Sequence, residues 1–266
     1  MELGLKDKAV IVTGGSKGIG KAAALGMLAE GASVLICARN AATLEEAAAE
    51  ARKIGRGRIA AVAADLTRRE DIEAVVKRCV SEFGRIDILV NNAGSARNGD
   101  FLKLDDQAWI DDWTLKFFGY VRMARAVIPE MAKRRSGVII NVIGAAALNP
   151  SGGYMIGGAA NAALNHFTKA LADEGAKHGV RVAGINPGPI LTDRLMQMLS
   201  RGAGFLPGSS KPGDPKDVLA KMTPLGRVAK PEEVADLIMF VASERAGFIH
   251  GANITIDGGV TRGLMG

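Results

Sequence analysis

Apolar residues follow two rhythms along this chain. Short runs rich in Val, Ile and Ala alternate with longer stretches in which Ala and Leu recur at helical spacing among charged residues. The short runs predict strands at Ala9–Thr13, Ser33–Ala38, Ile59–Ala63, Ile88–Asn91, Val138–Val142, Val180–Ile185 and Asn253–Ile256. The longer stretches predict helices at Gly18–Glu30, Thr43–Ile54, Arg69–Phe83, Asp106–Arg134, Tyr154–Lys177 and Pro231–Ser243, with Pro129 as a bend near the end of the fourth. Strands alternating with helices argue an α/β fold: a parallel sheet with helices on both faces. Right-handed crossovers then make it a Rossmann-like, doubly wound sheet, here one domain over residues 1–266.

One segment breaks the rhythm. Thr192–Leu225 contains Gly202, Gly204, Pro207, Gly208, Pro212, Gly213 and Pro215, and it reads as a substrate lid at about 192–225. Its Leu195, Met196, Met198, Leu199, Phe205 and Leu206 could close over an apolar ligand, or pack a short helix onto the body.

Composition removes several function classes. The net charge is +6, but Lys and Arg are scattered among 28 acidic residues, without the basic stripe of a nucleic-acid binder. Cys37 and Cys79 fall in a strand and a helix, and His166, His178 and His250 have no partner at metal-ligand spacing, so neither a metal site nor a disulfide framework is expected. Residues 1–7 have no signal-peptide core, and no apolar run reaches membrane-spanning length. The expected setting is cytoplasmic, with no membrane or nucleic-acid partner.

The most informative motif is the turn Thr13-Gly14-Gly15-Ser16-Lys17-Gly18-Ile19-Gly20, placed between the first strand and the first helix. Glycine there takes backbone angles closed to other residues and lets the chain approach a pyrophosphate. The helix start adds N–H donors and partial positive charge for the phosphates. This context makes the turn a dinucleotide site.

With that turn, the chain resembles the short-chain dehydrogenase/reductase family over nearly its full length. The matching features are Thr13–Gly20, Asp65-Leu66, Asn91-Asn92-Ala93-Gly94, Tyr154, Asn186-Pro187-Gly188-Pro189-Ile190-Leu191-Thr192 and Asp257-Gly258-Gly259. The resemblance implies that Gly14, Ser16, Lys17, Gly18, Ile19 and Gly20 hold the cofactor's phosphates. It implies that Asp65 and Leu66 contact adenine, that Asn92, Ala93 and Gly94 line the groove, and that Pro187, Gly188, Ile190 and Thr192 flank the nicotinamide. Asp65 could instead cap the following helix.

The second strand ends in Ala38-Arg39, without the acid that would bind a ribose 2′-hydroxyl. A guanidinium clamps a phosphate, and Lys17 and Ser16 could add to it, so NADP is the expected cofactor, ahead of NAD.

The catalytic positions depart from the family. Its usual set is a tyrosine, a lysine one helical turn on, a serine before the tyrosine and an asparagine on the preceding long helix. Tyr154 is kept and also faces the cofactor, but Gly158 stands at the lysine position, Gly144 at the serine position and Lys116 at the asparagine position. One reading moves the lysine: Lys116 projects into the space left by Gly158 and brings its ammonium to Tyr154, while Asn161, seven residues after Tyr154, replaces part of the polar relay. Carbonyl–alcohol oxidoreduction of a small, apolar molecule then continues on Tyr154 and Lys116. The other reading keeps the cofactor and loses the chemistry, leaving a dinucleotide-binding sensor or scaffold. Ser95 and Ser151 are the nearest hydroxyls for the missing serine. The resemblance also implies a homo-oligomer, dimer or tetramer, built on the helices from Asp106 and Tyr154. Trp113, Phe117 and Tyr120 could serve that interface or the core.

Overall fold

The computed structural model describes residues 2–54, 56–200, 218 and 221–263. Seven strands form one sheet in the order β3-β2-β1-β4-β5-β6-β7. They are β1 (Ala9–Thr13), β2 (Ser33–Ala38), β3 (Ile59–Ala63), β4 (Ile88–Asn91), β5 (Gly137–Val142), β6 (Val180–Pro187) and β7 (Asn253–Ile256). Every pairing is parallel. The order reverses between β1 and β4, and a doubly wound sheet opens its ligand crevice at such a reversal.

The helices are α1 (Gly18–Ala29), α2 (Ala41–Arg52), α3 (Arg69–Phe83), α4 (Asp106–Lys116), α5 (Phe118–Ala132), α6 (Met155–Lys177), α7 (Asp193–Ser200) and α8 (Pro231–Ala242). Both sheet faces are covered, which explains why the strands read as continuous apolar runs. Val10 and Val12 of β1 point into a core shared with α1, α2 and α8, while Ile11 between them points to α3, α5 and α6. Close approach on the first face needs small residues: a Cβ on Gly26 of α1 would stand 2.8 Å from Met239 Sδ of α8.

Several element ends shift by one or two residues, and two differences from the sequence pattern have visible physical reasons. The expected helix from Asp106 divides at Phe117, immediately after Lys116, while Pro129 lies inside α5 without ending it. The chain keeps a helical course through Phe117, whose N–H donates to the Trp113 carbonyl at 2.9 Å, and its ring packs on Trp113 and Phe167. β6 also runs beyond Ile185, because Asn186 and Pro187 pair with β7 only; β5 ends at Val142, opposite Ile185. A proline tolerates that strand end because it has no N–H to leave unpaired. Among the described residues no helix is long and apolar enough to cross a membrane, and no three His, Cys, Asp or Glu side chains cluster as metal ligands. Of the expected lid, residues 192–200, 218 and 221–225 are described; Phe205 and Leu206 lie outside the described residues.

Candidate active site

The glycine-rich turn is fixed by the strands around it. Gly14 and Gly15 donate their N–H groups to the Cys37 carbonyl at 2.8 and 3.2 Å, tying the turn to β2. Gly14 has φ +66°, and Gly20 packs so tightly that a Cβ would fall 2.3 Å from the Gly14 carbonyl and 2.4 Å from Asn92 Nδ2. Thr13 Oγ1 accepts the N–H groups of Asn92 and Ala93, and Asn92 Nδ2 donates back to the Thr13 and Gly14 carbonyls. Asn92 and Ala93 therefore join β1 to β4 at the crevice. Lys17 occupies the cap position of α1 without a side-chain cap, which leaves the anion-attracting start of the helix to face the crevice. Ser16 is partly exposed there, whereas Ile19 packs part of its side chain against the α1 core.

Thr192 roofs the same turn: a Cβ on Gly18, where φ is +54°, would touch its Cγ2 at 3.2 Å. Thr192 Oγ1 also accepts the Leu195 N–H at 3.3 Å and so caps α7. Lys17 leans toward Asp193 at 3.9 Å, an exposed and loose pair. Ile190 is buried and bridges to Ala229. Gly188 follows Pro187 so closely against β7 that a Cβ would meet Asp257 Cα at 2.6 Å.

At the other end of the crevice, Arg39 is exposed and lines a cleft of about 670 Å³ with Thr67, Ser95 and Arg97. Asp65 is not the cap of α3, a place taken by Arg68. Its Oδ1 accepts both the N–H and the hydroxyl of Thr67, at 3.0 and 2.8 Å. Burial works against its charge, but these bonds and the charges of Arg39 and Arg68 hold its carboxyl below the usual range. Leu66 is buried against Gly119 of α5, so its side chain belongs to the core.

The residues expected at the catalytic position gather near the end of β5. On α4 the buried positions are Ala108, Asp112 and Lys116, spaced four apart, so the inward face of this helix is polar. Asp112 accepts the Arg97 N–H at 2.6 Å and ties down the loop after β4. Lys116 is 7% exposed, and its ammonium donates to the Ile143 carbonyl at 2.9 Å. The stem passes over Gly94, where a Cβ would stand 2.8 Å from Lys116 Cδ. Lys116 thus fills the space over Gly94. It does not fill that over Gly158, where a Cβ would meet only the Ala146 carbonyl, at 3.5 Å. The reason is helix phase: Gly158 turns toward the loop at Ala145–Ala147.

Tyr154 ends the turn Gly152–Tyr154 just ahead of α6. Its ring lies over Gly157, and a Cβ there would stand 2.4 Å from the Tyr154 Oη and closer still to the ring. The ring packs with Ala96, Ala108, Ile156, Trp109 and Trp113. The second tyrosine has a different part. Tyr120 is buried and its hydroxyl donates to the Val142 carbonyl at 2.7 Å. Burial first, then the nearby Tyr154, push its acidity well below that of a free phenol, so it stays a structural donor. The Lys116 ammonium stands 5.9 Å above the Tyr120 ring. Both serine candidates are exposed, Ser95 on the cleft near Arg39 and Ser151 ahead of the turn. The sequence pattern missed Gly157, and it named Gly94 for the cofactor groove but not as the place under the Lys116 stem. Their signal is only a small residue on a buried helix or loop face, and it gains meaning once the side chain above is known.

Comparisons with known proteins agree with this fold. The family described as short chain dehydrogenase matches residues 8–201. The 3-oxoacyl-[acyl-carrier-protein] reductase of Thermotoga maritima is 32% identical over 96% of this chain and 98% of its own. The crystal structure of L-sorbose reductase from Gluconobacter frateurii, complexed with NADPH and L-sorbose, superposes with a TM-score of 0.92 at 37% identity, covering 99% of this chain and all of that one. A 7α-hydroxysteroid dehydrogenase complexed with NADH and 7-oxo glycochenodeoxycholic acid gives 0.88 at 29% identity over 98% and 97% of the two chains. With the reversed strand order, the glycine cradle and these full-length matches together, the chain belongs to the short-chain dehydrogenase/reductase family of NAD(P)-dependent oxidoreductases.

Proposed function

We propose that the protein is an NADP-dependent oxidoreductase that interconverts a carbonyl and an alcohol on a small apolar molecule, with Tyr154 as proton donor and Lys116 as the cation beside it. The observation that carries this reading is the buried Lys116 ammonium at the end of β5. A buried lysine on an inward helix face is rare without a task. The cofactor fits the glycine cradle, since at Gly14, Gly18 and Gly20 a side chain would obstruct the turn or its roof. When bound, NADPH supplies the hydride. Gly14, Ser16, Lys17, Gly18, Ile19 and Gly20 hold its pyrophosphate, mainly through backbone donors. Asp65, Leu66, Asn92, Ala93 and Gly94 line the groove, and Pro187, Gly188, Ile190 and Thr192 border the nicotinamide. Arg39 binds the 2′-phosphate. The cofactors of the relatives support treating that phosphate as a separate choice, for one was crystallised with NADPH and another with NADH on the same fold.

Tyr154 gives its phenolic proton to the carbonyl oxygen as the alcohol forms, and takes it back in the reverse direction. Lys116 stabilises the negative charge left on the phenol oxygen, whichever helix it comes from. Trp109, Trp113 and Ile156 keep this corner apolar, which favours an apolar substrate and excludes water. The assembly in this reading is a homo-oligomer. Tyr120 is core, and Trp113 and Phe117 pack within the chain, which leaves Ile110 and Phe118 as the exposed apolar residues of α4 and α5. Sedimentation tests it, and a monomer at micromolar concentration ends it.

The decisive experiment follows NADPH absorbance over a panel of small ketones and aldehydes. Tyr154→Phe and Lys116→Met, which keeps the stem over Gly94, should each lower kcat by about 10²–10⁴ with NADPH affinity preserved. Turnover retained in either variant refutes the roles. NADPH binding without turnover of any carbonyl by wild type favours the sensor or scaffold instead.

A further inference from the structure

No hydroxyl replaces the family serine by sequence, and the place of that serine is not empty. Gly144 follows Ile143, whose carbonyl holds Lys116, and it has φ +136°, a conformation that L side chains rarely adopt. A Cβ built at Gly144 would stand 2.9 Å from Asn161 Nδ2, 3.6 Å from its Cγ and 3.9 Å from its Oδ1. The amide of Asn161 therefore begins where a side chain at residue 144 would begin, with its nitrogen foremost. Asn161 is 3% exposed, and its Oδ1 is sealed from solvent with no hydrogen-bond partner among the described residues. Amide atoms of Asn91, Asn165, Asn186 and Asn253 are buried without a partner in the same way, so it is the place of Nδ2 against Gly144 that sets Asn161 apart. Asn161 also lies four residues after Gly157, which carries the Tyr154 ring, so amide and phenol share one face of α6 a turn apart.

We infer that Asn161 is a catalytic residue, the Nδ2–H donor that polarises the substrate carbonyl in place of the missing serine. The inference deepens the oxidoreductase reading and rests on it. An amide N–H gives the carbonyl oxygen the same kind of hydrogen bond as a hydroxyl. It differs in having no proton to give up at neutral pH, so Tyr154 remains the proton donor and Asn161 adds charge stabilisation. The Gly144 backbone, in a conformation closed to side chains, keeps the position free for the amide, since any side chain there would push Nδ2 aside.

The test uses the full chain loaded with NADPH and isobutyramide, an amide whose carbonyl accepts hydrogen bonds without being reduced. Wild type is compared with Asn161→Leu and the isosteric Asn161→Asp, for calorimetric isobutyramide affinity and for turnover of the ketone and aldehyde panel. Both variants should bind isobutyramide about tenfold more weakly. They should also lose about 10²–10³ in kcat while NADPH affinity changes less than about twofold. Thermal melting checks folding, and if the leucine variant melts early the aspartate variant carries the comparison. Unchanged isobutyramide affinity in a folded variant overturns the inference. So does an NADPH-loaded wild type that binds no isobutyramide. If wild type binds isobutyramide through Asn161 but turns over none of the panel, the oxidoreductase reading fails while the donor assignment stands.

Discussion

The β1–α1 turn and the β5–α6 corner use glycine for opposite ends. At the turn, Gly14 and Gly20 let backbone meet backbone: a side chain on Gly20 would strike the Gly14 carbonyl, and the space gained serves a ligand. At the corner, Gly157, Gly144 and Gly94 yield to other side chains of the same protein: the Tyr154 ring, the Asn161 amide and the Lys116 stem. The first arrangement repeats a known motif. The second, in the proposed mechanism, sets catalytic groups on new positions beside glycines. A missing residue in a motif therefore says little until the space it left has been inspected.

The sharpest way to break this comparison is at adjacent glycines. Gly157→Ala drives a methyl into the Tyr154 ring, and kcat should fall by about 10²-fold or more, since a displaced proton donor loses its alignment. Gly158→Ala meets only an ordinary contact with the Ala146 carbonyl and should retain wild-type kcat within about twofold. Equal losses in the two variants would remove the case for Tyr154 over Gly157.

Gly20→Ala probes the turn. It has no flexible side chain to displace, only the Gly14 carbonyl and a bonded asparagine amide. Overpacking of this kind costs about 1–3 kcal/mol, read as a lower melting temperature, and NADPH affinity should fall with it. A variant that melts and binds like wild type would show that the turn has more room than its contacts suggest.

Arg39→Ala should weaken NADP by about 10–100-fold and leave NAD nearly unchanged, as expected for the loss of charge-assisted bonds to one phosphate. Loss of both cofactors alike would assign Arg39 to structure.

The smallest effect concerns Cys37, which lies beneath the turn. Burial pushes its thiol up to about 12, against a smaller opposing bond from Gly14. A raised folded value means the folded state keeps its proton. The associated stability is full below the unfolded value near 9.0 and is lost as pH rises from there toward about 12. At pH 8 the native protein should resist alkylation at Cys37, and labelling as fast as in urea would show that β2 opens readily.

Much of this was written in the sequence. β1, β2, β3, α3, β4 and β7 have the bounds that the apolar pattern assigns, because each buries a regular face against one neighbour or two. The division of the helix at Phe117 was not legible, since Pro129 is the stronger breaker by composition and the aromatic packing of Phe117 with Phe167 is a contact across 50 residues. The cofactor turn was legible because its residues are consecutive. Ile19 and Leu66 show the limit even there: the motif names them, but their side chains serve the core.

The sequence by itself determined the α/β alternation, the glycine turn, Arg39 in place of an acid, and the loss of side chains at 144 and 158. Only the tertiary structure decided where Lys116, Tyr154 and Asn161 point. Those positions come from α4, the turn before α6, and α6 itself, so Lys116 on the Ile143 carbonyl, Asn161 against Gly144 and Tyr154 over Gly157 depend on how the elements pack. The physical reason is range. Periodicity and turn chemistry act between near neighbours in the chain, whereas the choice of which glycine lies under which side chain is made by helix phase and by contacts between distant segments.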